Sequence, residues 1–90
     1  MTNRYQLRIA RPAAHALTDS LPEKIAHAAY KFINGPLLDN PRRVGKPLNP
    51  PLVPTCSARR GDYRILYLID DVARTVEVTA IRRRSDAYRS

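Results

Sequence analysis

Six of the chain's eight prolines fall between Pro36 and Pro54. Proline has no amide hydrogen to give to a helix or a ladder, and its ring clashes with the preceding turn. No long helix and no central strand can run through that stretch. The chain is therefore divided into a first part free to be helical and a last part free to be strands. The loop between them has room for one short edge strand near residues 44–48. Ninety residues are expected to form one domain, 1–90, since a single core usually serves ~100–150 residues.

Before the proline stretch, Tyr5, Leu7 and Ile9 alternate with Gln6 and Arg8, the period of a half-buried strand. Pro12 suits a first helical turn, and Ala13, Ala14, Ala16 and Leu17 predict a short helix to about residue 19. Ser20 and Glu23 stand at capping-box spacing before a second helix. Ile25, Ala29, Phe32 and Ile33 form its apolar stripe. Asn34-Gly35-Pro36 is expected to stop it, with the glycine in the left-handed conformation. So short a link predicts an antiparallel helical hairpin.

After the prolines the period changes to two. Residues 55–59 read as a strand and Arg60-Gly61 as its turn. Residues 62–69 are mostly apolar on both faces, as a central strand requires. Asp70-Asp71 opens a turn, residues 75–81 return as the neighbouring strand, and 82–90 form a basic tail, helix or loop. The order β-α-α-β-β-β predicts an α+β domain with its helices on one face of a small antiparallel sheet.

Several functional classes drop out. The longest apolar run is only residues 65–69, too short to span a bilayer, and residues 1–6 lack the apolar stretch of a secretory signal. One cysteine excludes an internal disulfide, and a cytoplasmic location is expected. His15, His27 and Cys56 show no ligand spacing, so neither a metal site nor a cofactor is expected. The three glycines are too scattered for a phosphate loop.

Charge is what remains. Sixteen basic side chains against eight acidic ones give a net +8, the balance of a surface that attracts nucleic acid or an acidic protein. Thirteen of the sixteen are arginine, whose planar fork grips phosphate oxygens in pairs. Arg59 and Arg60 stand at a strand end, Arg64 interrupts an apolar strand, and Arg82, Arg83 and Arg84 close the last one. Arg64 either reaches past Leu66 to water, pairs with Glu77, or serves a phosphate. Strict alternation places Arg64 and Arg82 on opposite faces, so bringing them together requires a bulge or an early strand end.

The segments 57–67 (SARRGDYRILY) and 81–89 (IRRRSDAYR), with LPEKI at 21–25 and NPRRVGKPL at 40–48, resemble the RelE/ParE toxin superfamily, closest to its RelE branch. The resemblance spans essentially the whole chain and implies a RelE-like fold, a helical hairpin over a small antiparallel sheet. It implies a ribosome-dependent mRNA endonuclease, working without metal by attack of a ribose 2′-hydroxyl on the adjacent phosphate. Arg64 and Arg82 match the family's phosphate-contacting arginines and Tyr88 its base-stacking tyrosine. Lys46, Arg59, Arg60, Arg83 and Arg84 would bind RNA around them. The implied partners are the ribosome, mRNA and an acidic RelB-like antitoxin held in a hetero-oligomer. Thr55 and Ser57 stand where some members carry lysines, and Arg83 where many carry histidine, so the general base is unassigned. Two other readings stay open: a ParE-like gyrase inhibitor that acts by binding, and a basic RNA-binding domain without catalysis.

Overall fold

The computed structural model describes residues 4–51 and 54–83. Strand β1 (Gln6–Ile9) leads into helix α1 (Arg11–His15), which widens into one π-helical turn over Ala16–Ser20. Helix α2 (Glu23–Ile33) and the single turn α3 (Pro36–Asp39) follow. The strands β2 (Lys46–Pro47), β3 (Cys56–Arg60), β4 (Tyr63–Asp70) and β5 (Thr75–Arg83) complete the order.

The sheet runs β1-β5-β4-β3-β2. The chain leaves β1, crosses one face as helices and re-enters at the far edge. An antiparallel meander then returns it until β5 lies beside β1. That last pairing is parallel, so the sheet is mixed rather than wholly antiparallel. The prolines act as expected: among the described residues between 36 and 54 only the α3 turn and the two-residue β2 form.

Alternation along β4 buries Tyr63, Ile65 and Tyr67, and β5 adds Val76, Val78 and Ile81. Ala29, Phe32 and Ile33 of α2 and Leu37 and Leu38 of α3 complete the same core. Each large apolar side chain withdrawn from water there stabilises the fold by roughly 1.5–3 kcal/mol. The other sheet face holds the half-exposed Leu66, Leu68 and Ala80.

Two local expectations are corrected. The predicted capping box does not form: α2 starts at Glu23 with Pro22 before it and no side-chain cap. Leu21 precedes a proline, which disfavours helical backbone, and it is extended at ψ 145°. Its side chain is buried instead. Gly35 does end α2, but at φ −131° rather than in the left-handed region, because the chain turns directly into α3. The turn at Gly61 is as read from the sequence, with φ +57°.

Candidate nucleic-acid interface

The arginines gather through an irregularity in one ladder. Between Asp70↔Thr75 and Tyr67↔Val78 the β4–β5 register is regular; beyond it Leu66 faces Ala80 and Arg64 faces Arg82. Thr79 is the extra residue, and its hydroxyl donates to the Leu66 carbonyl at 3.2 Å. Without this bulge Ile81 would oppose Arg64, and Arg82 would turn toward the helices. The bulge required for convergence is present.

On the next strand, Arg59 pairs in register with Arg64. Arg59, Arg64 and Arg82 thus form one exposed row across three strands. Directly opposed side chains have their Cβ atoms ~4.5–5.5 Å apart, and like charges there repel. Among the described residues no acidic side chain pairs with any of the three; the ion pairs found are Arg4–Asp39, His15–Asp19 and Arg42–Asp71. Glu77 is registered with Leu68, a full four residues along β4 from Arg64, so it is not that arginine's cross-strand neighbour. A row of guanidinium groups without counter-charge is a ready seat for an anion with several oxygens.

The row borders an open hollow of about 660 Å³, lined among others by Lys46, Ser57, Arg59 and Arg64. Lys46 reaches it from β2, where it faces Ser57 across the ladder. Arg42 and Arg43 also line it. Sequence reasoning missed these two, because a proline-rich loop has no period from which to read a face.

Arg60 and Arg83 lie elsewhere. Both are in register with Tyr63, a core-facing residue, so alternation turns them to the helical side. Arg60 sets its guanidinium 4.2 Å from the centre of the Phe32 ring, a cation–π contact. Adjacent strand residues point to opposite faces, so the pairs Arg59-Arg60 and Arg82-Arg83 could not all share one surface. Arg84 and Tyr88 lie outside the described residues.

The segment that carries Lys46 is fastened at several points. Arg42 forks onto Asp71, with Nη1–Oδ1 at 2.9 Å and Nη2–Oδ2 at 2.5 Å. The Tyr5 hydroxyl donates to the same Oδ1 at 2.6 Å, and the Arg74 guanidinium lies 4.0 Å from the Tyr5 ring centre. The hydrogen bonds from Arg42 and Tyr5 hold the Asp71 carboxyl down at about 2. The Arg42 guanidinium is held above its usual range by the same hydrogen bonds. The Tyr67 hydroxyl, buried in the core, donates to the Pro41 carbonyl at 2.5 Å, and burial pushes its phenol up to about 12. Gly45 passes so close that a Cβ there would collide with the Tyr67 hydroxyl and lie 2.6 Å from the Ser57 carbonyl oxygen.

The sulfur-nitrogen candidates are scattered. His15 pairs with Asp19 at 3.1 Å on α1, His27 is exposed on α2, and Cys56 is buried on β3 with its thiol pushed up by burial. No group of three or more metal-ligating side chains occurs among the described residues. No helix there is long and apolar enough to cross a membrane.

Comparison with known proteins gives three close likenesses and a family. The model of the family described as ParE toxin of type II toxin-antitoxin system, parDE, matches residues 4–88. Toxin RelE of Mycobacterium tuberculosis is 53% identical over 94% of this chain and 87% of that protein. Toxin RelG of the same organism is 45% identical over 94% and 97%. Among solved structures, the RelBE2 toxin-antitoxin complex from Mycobacterium tuberculosis matches with a TM-score of 0.86 at 43% identity, over 90% of this chain and 99% of that one.

Proposed function

The chain belongs to the ParE toxin family of type II toxin–antitoxin systems, and from that premise we propose that it cuts messenger RNA on the ribosome. The observation that carries the proposal is the bulge-set row of Arg59, Arg64 and Arg82, cationic and without acidic partners among the described residues. The relatives Toxin RelE and Toxin RelG favour the RNA reading.

In the proposed reaction a ribose 2′-hydroxyl attacks the adjacent phosphorus and the bond to the 5′-oxygen breaks. The 2′-hydroxyl gives up a proton, and the departing oxygen takes one. Negative charge grows on the non-bridging oxygens, where Arg64 and Arg82 stand on neighbouring strands to receive it. Arginine stays protonated at any working pH, so its part is charge stabilisation rather than proton transfer. The resemblance gives Tyr88 the task of stacking on the substrate base. Lys46 and Arg59 on the hollow wall would hold flanking phosphates.

A neutralising antitoxin of RelB type is proposed as the partner, since one of the matching solved structures is a RelBE2 complex. Acidic side chains seated on the arginine row would mask it. The second reading, gyrase inhibition by binding, draws on the ParE name of the matching family. Induced expression in a bacterial host separates the two. Pulse-labelled protein synthesis should stop while plasmid supercoiling stays intact. Lost supercoiling with a DNA-damage response would move the assignment to gyrase.

A further inference from the structure

The hollow beside the arginine row has two unlike walls. One is the sheet itself, through Ser57, Arg59 and Arg64; the other is the chain from Arg42 to Leu48. The second wall has little secondary structure of its own. Two residues of β2 pair with β3, and the Leu48 amide donates to the Thr55 carbonyl at 2.8 Å. Its position depends on the Arg42–Asp71–Tyr5 cluster and on the Tyr67–Pro41 hydrogen bond.

We propose that Asp71 is a positioning residue for RNA binding, holding the Arg42–Leu48 wall of the hollow in place from the opposite end of the sheet. The inference rests on the reading of that hollow as an RNA site. Asp71 follows β4, seven residues beyond Arg64, so it lies roughly 20 Å away at the rise of a strand. It has no reach to a phosphate bound at the arginine row. Its two oxygens take both forks of Arg42 and the Tyr5 hydroxyl, tying together the residue that precedes β1, the proline-rich loop and the β4–β5 turn. The hydrogen bonds from Arg42 and Tyr5 hold the carboxyl below its ordinary range, so its ionisation does not switch the tether near neutral pH.

Charge and position predict opposite signs. Removing a carboxylate from a chain of net +8 strengthens attraction to any polyanion if only charge matters. Loss of position weakens binding. The test uses the full chain and a short single-stranded RNA carrying a 2′-deoxy residue at the cleavage step, so that binding is read without cutting.

For Asp71→Asn the expected result is a rise in Kd of about fivefold, the loss of one charge-assisted pair, with kcat for ribosome-bound mRNA within about twofold of the unaltered chain. Amide exchange at Leu48 should quicken while exchange in the β4 core does not. Tyr5→Phe removes a hydrogen bond to the same carboxylate without changing charge, and should move Kd and exchange in the same direction by less. It also stands in if Asp71→Asn fails to fold. Unchanged or tighter binding in the folded variants would overturn the proposal. If the unaltered chain binds RNA but cuts nothing on ribosomes, the nuclease reading fails while the positioning test stands. If it binds no free RNA, the positioning proposal fails, while cleavage on ribosomes still decides the nuclease reading.

Discussion

The two ends of the sheet use charge in opposite ways. At the β4–β5 turn, Asp71 meets Arg42 in a bidentate pair, and Tyr5 and Arg74 close round it. At the other end Arg59, Arg64 and Arg82 stand in one row with no acidic partner among the described residues. The first end is electrostatically complete and needs nothing further. The second, among the described residues, sets like charges side by side with no counter-charge of its own. A basic composition therefore has little meaning as a number; what matters is which cations already have counter-charges.

The largest effect expected from breaking this contrast is at the arginine row. Arg82→Ala should lower mRNA cleavage by roughly 100- to 1,000-fold, the cost of losing a preorganised charge at a reacting oxygen, and should abolish growth arrest. The same variant should melt no lower than the unaltered chain, since removing one of three neighbouring cations relieves repulsion. Growth curves and a thermal melt on the same protein check both halves.

In the segment that carries Lys46, and at the Asp71 turn, the effects should fall on stability. Gly45→Ala would drive a methyl group against the Tyr67 hydroxyl and the Ser57 carbonyl, costing about 2–3 kcal/mol by the usual scale of overpacking. Tyr67→Phe leaves the Pro41 carbonyl without its donor, a loss of about 1–3 kcal/mol for a buried group left unpaired. Denaturant titration measures either. The smallest effect is the acid limb. Asp71 ionises at about 2 when folded, below its ordinary value of 3.8. Its contribution is thus complete above pH 4 and lost as the pH falls toward 2. Melting temperature should drop over that interval more steeply in the unaltered chain than in Asp71→Asn, and parallel curves would contradict the pairing.

Much of this was legible in the sequence where a period exists to be read. The meander, the Gly61 turn and the central place of β4 follow from period-two alternation, and the same alternation shows that Arg64 and Arg82 need a bulge to meet. Nothing local identified Thr79 as that bulge, because its partner is the Leu66 carbonyl on another strand. The capping box at Ser20 was overruled by Pro22, one residue after Leu21. The parallel pairing of β1 depends on where the chain re-enters the sheet, which no window of residues contains. Arg42 and Asp71 are joined across 29 positions, out of reach of any spacing rule. Arg60 was grouped with Arg59 by adjacency, although neighbours in a strand face opposite ways.

The row of Arg59, Arg64 and Arg82 is proposed to cut RNA in the ribosome. The most direct test is a primer-extension map of RNA ends in a reconstituted translation reaction, with and without ribosomes, run beside Arg82→Ala. Cuts within A-site codons that require both ribosomes and Arg82 are expected. A folded, growth-arresting protein that leaves the RNA intact would contradict it and make the row a binding surface alone.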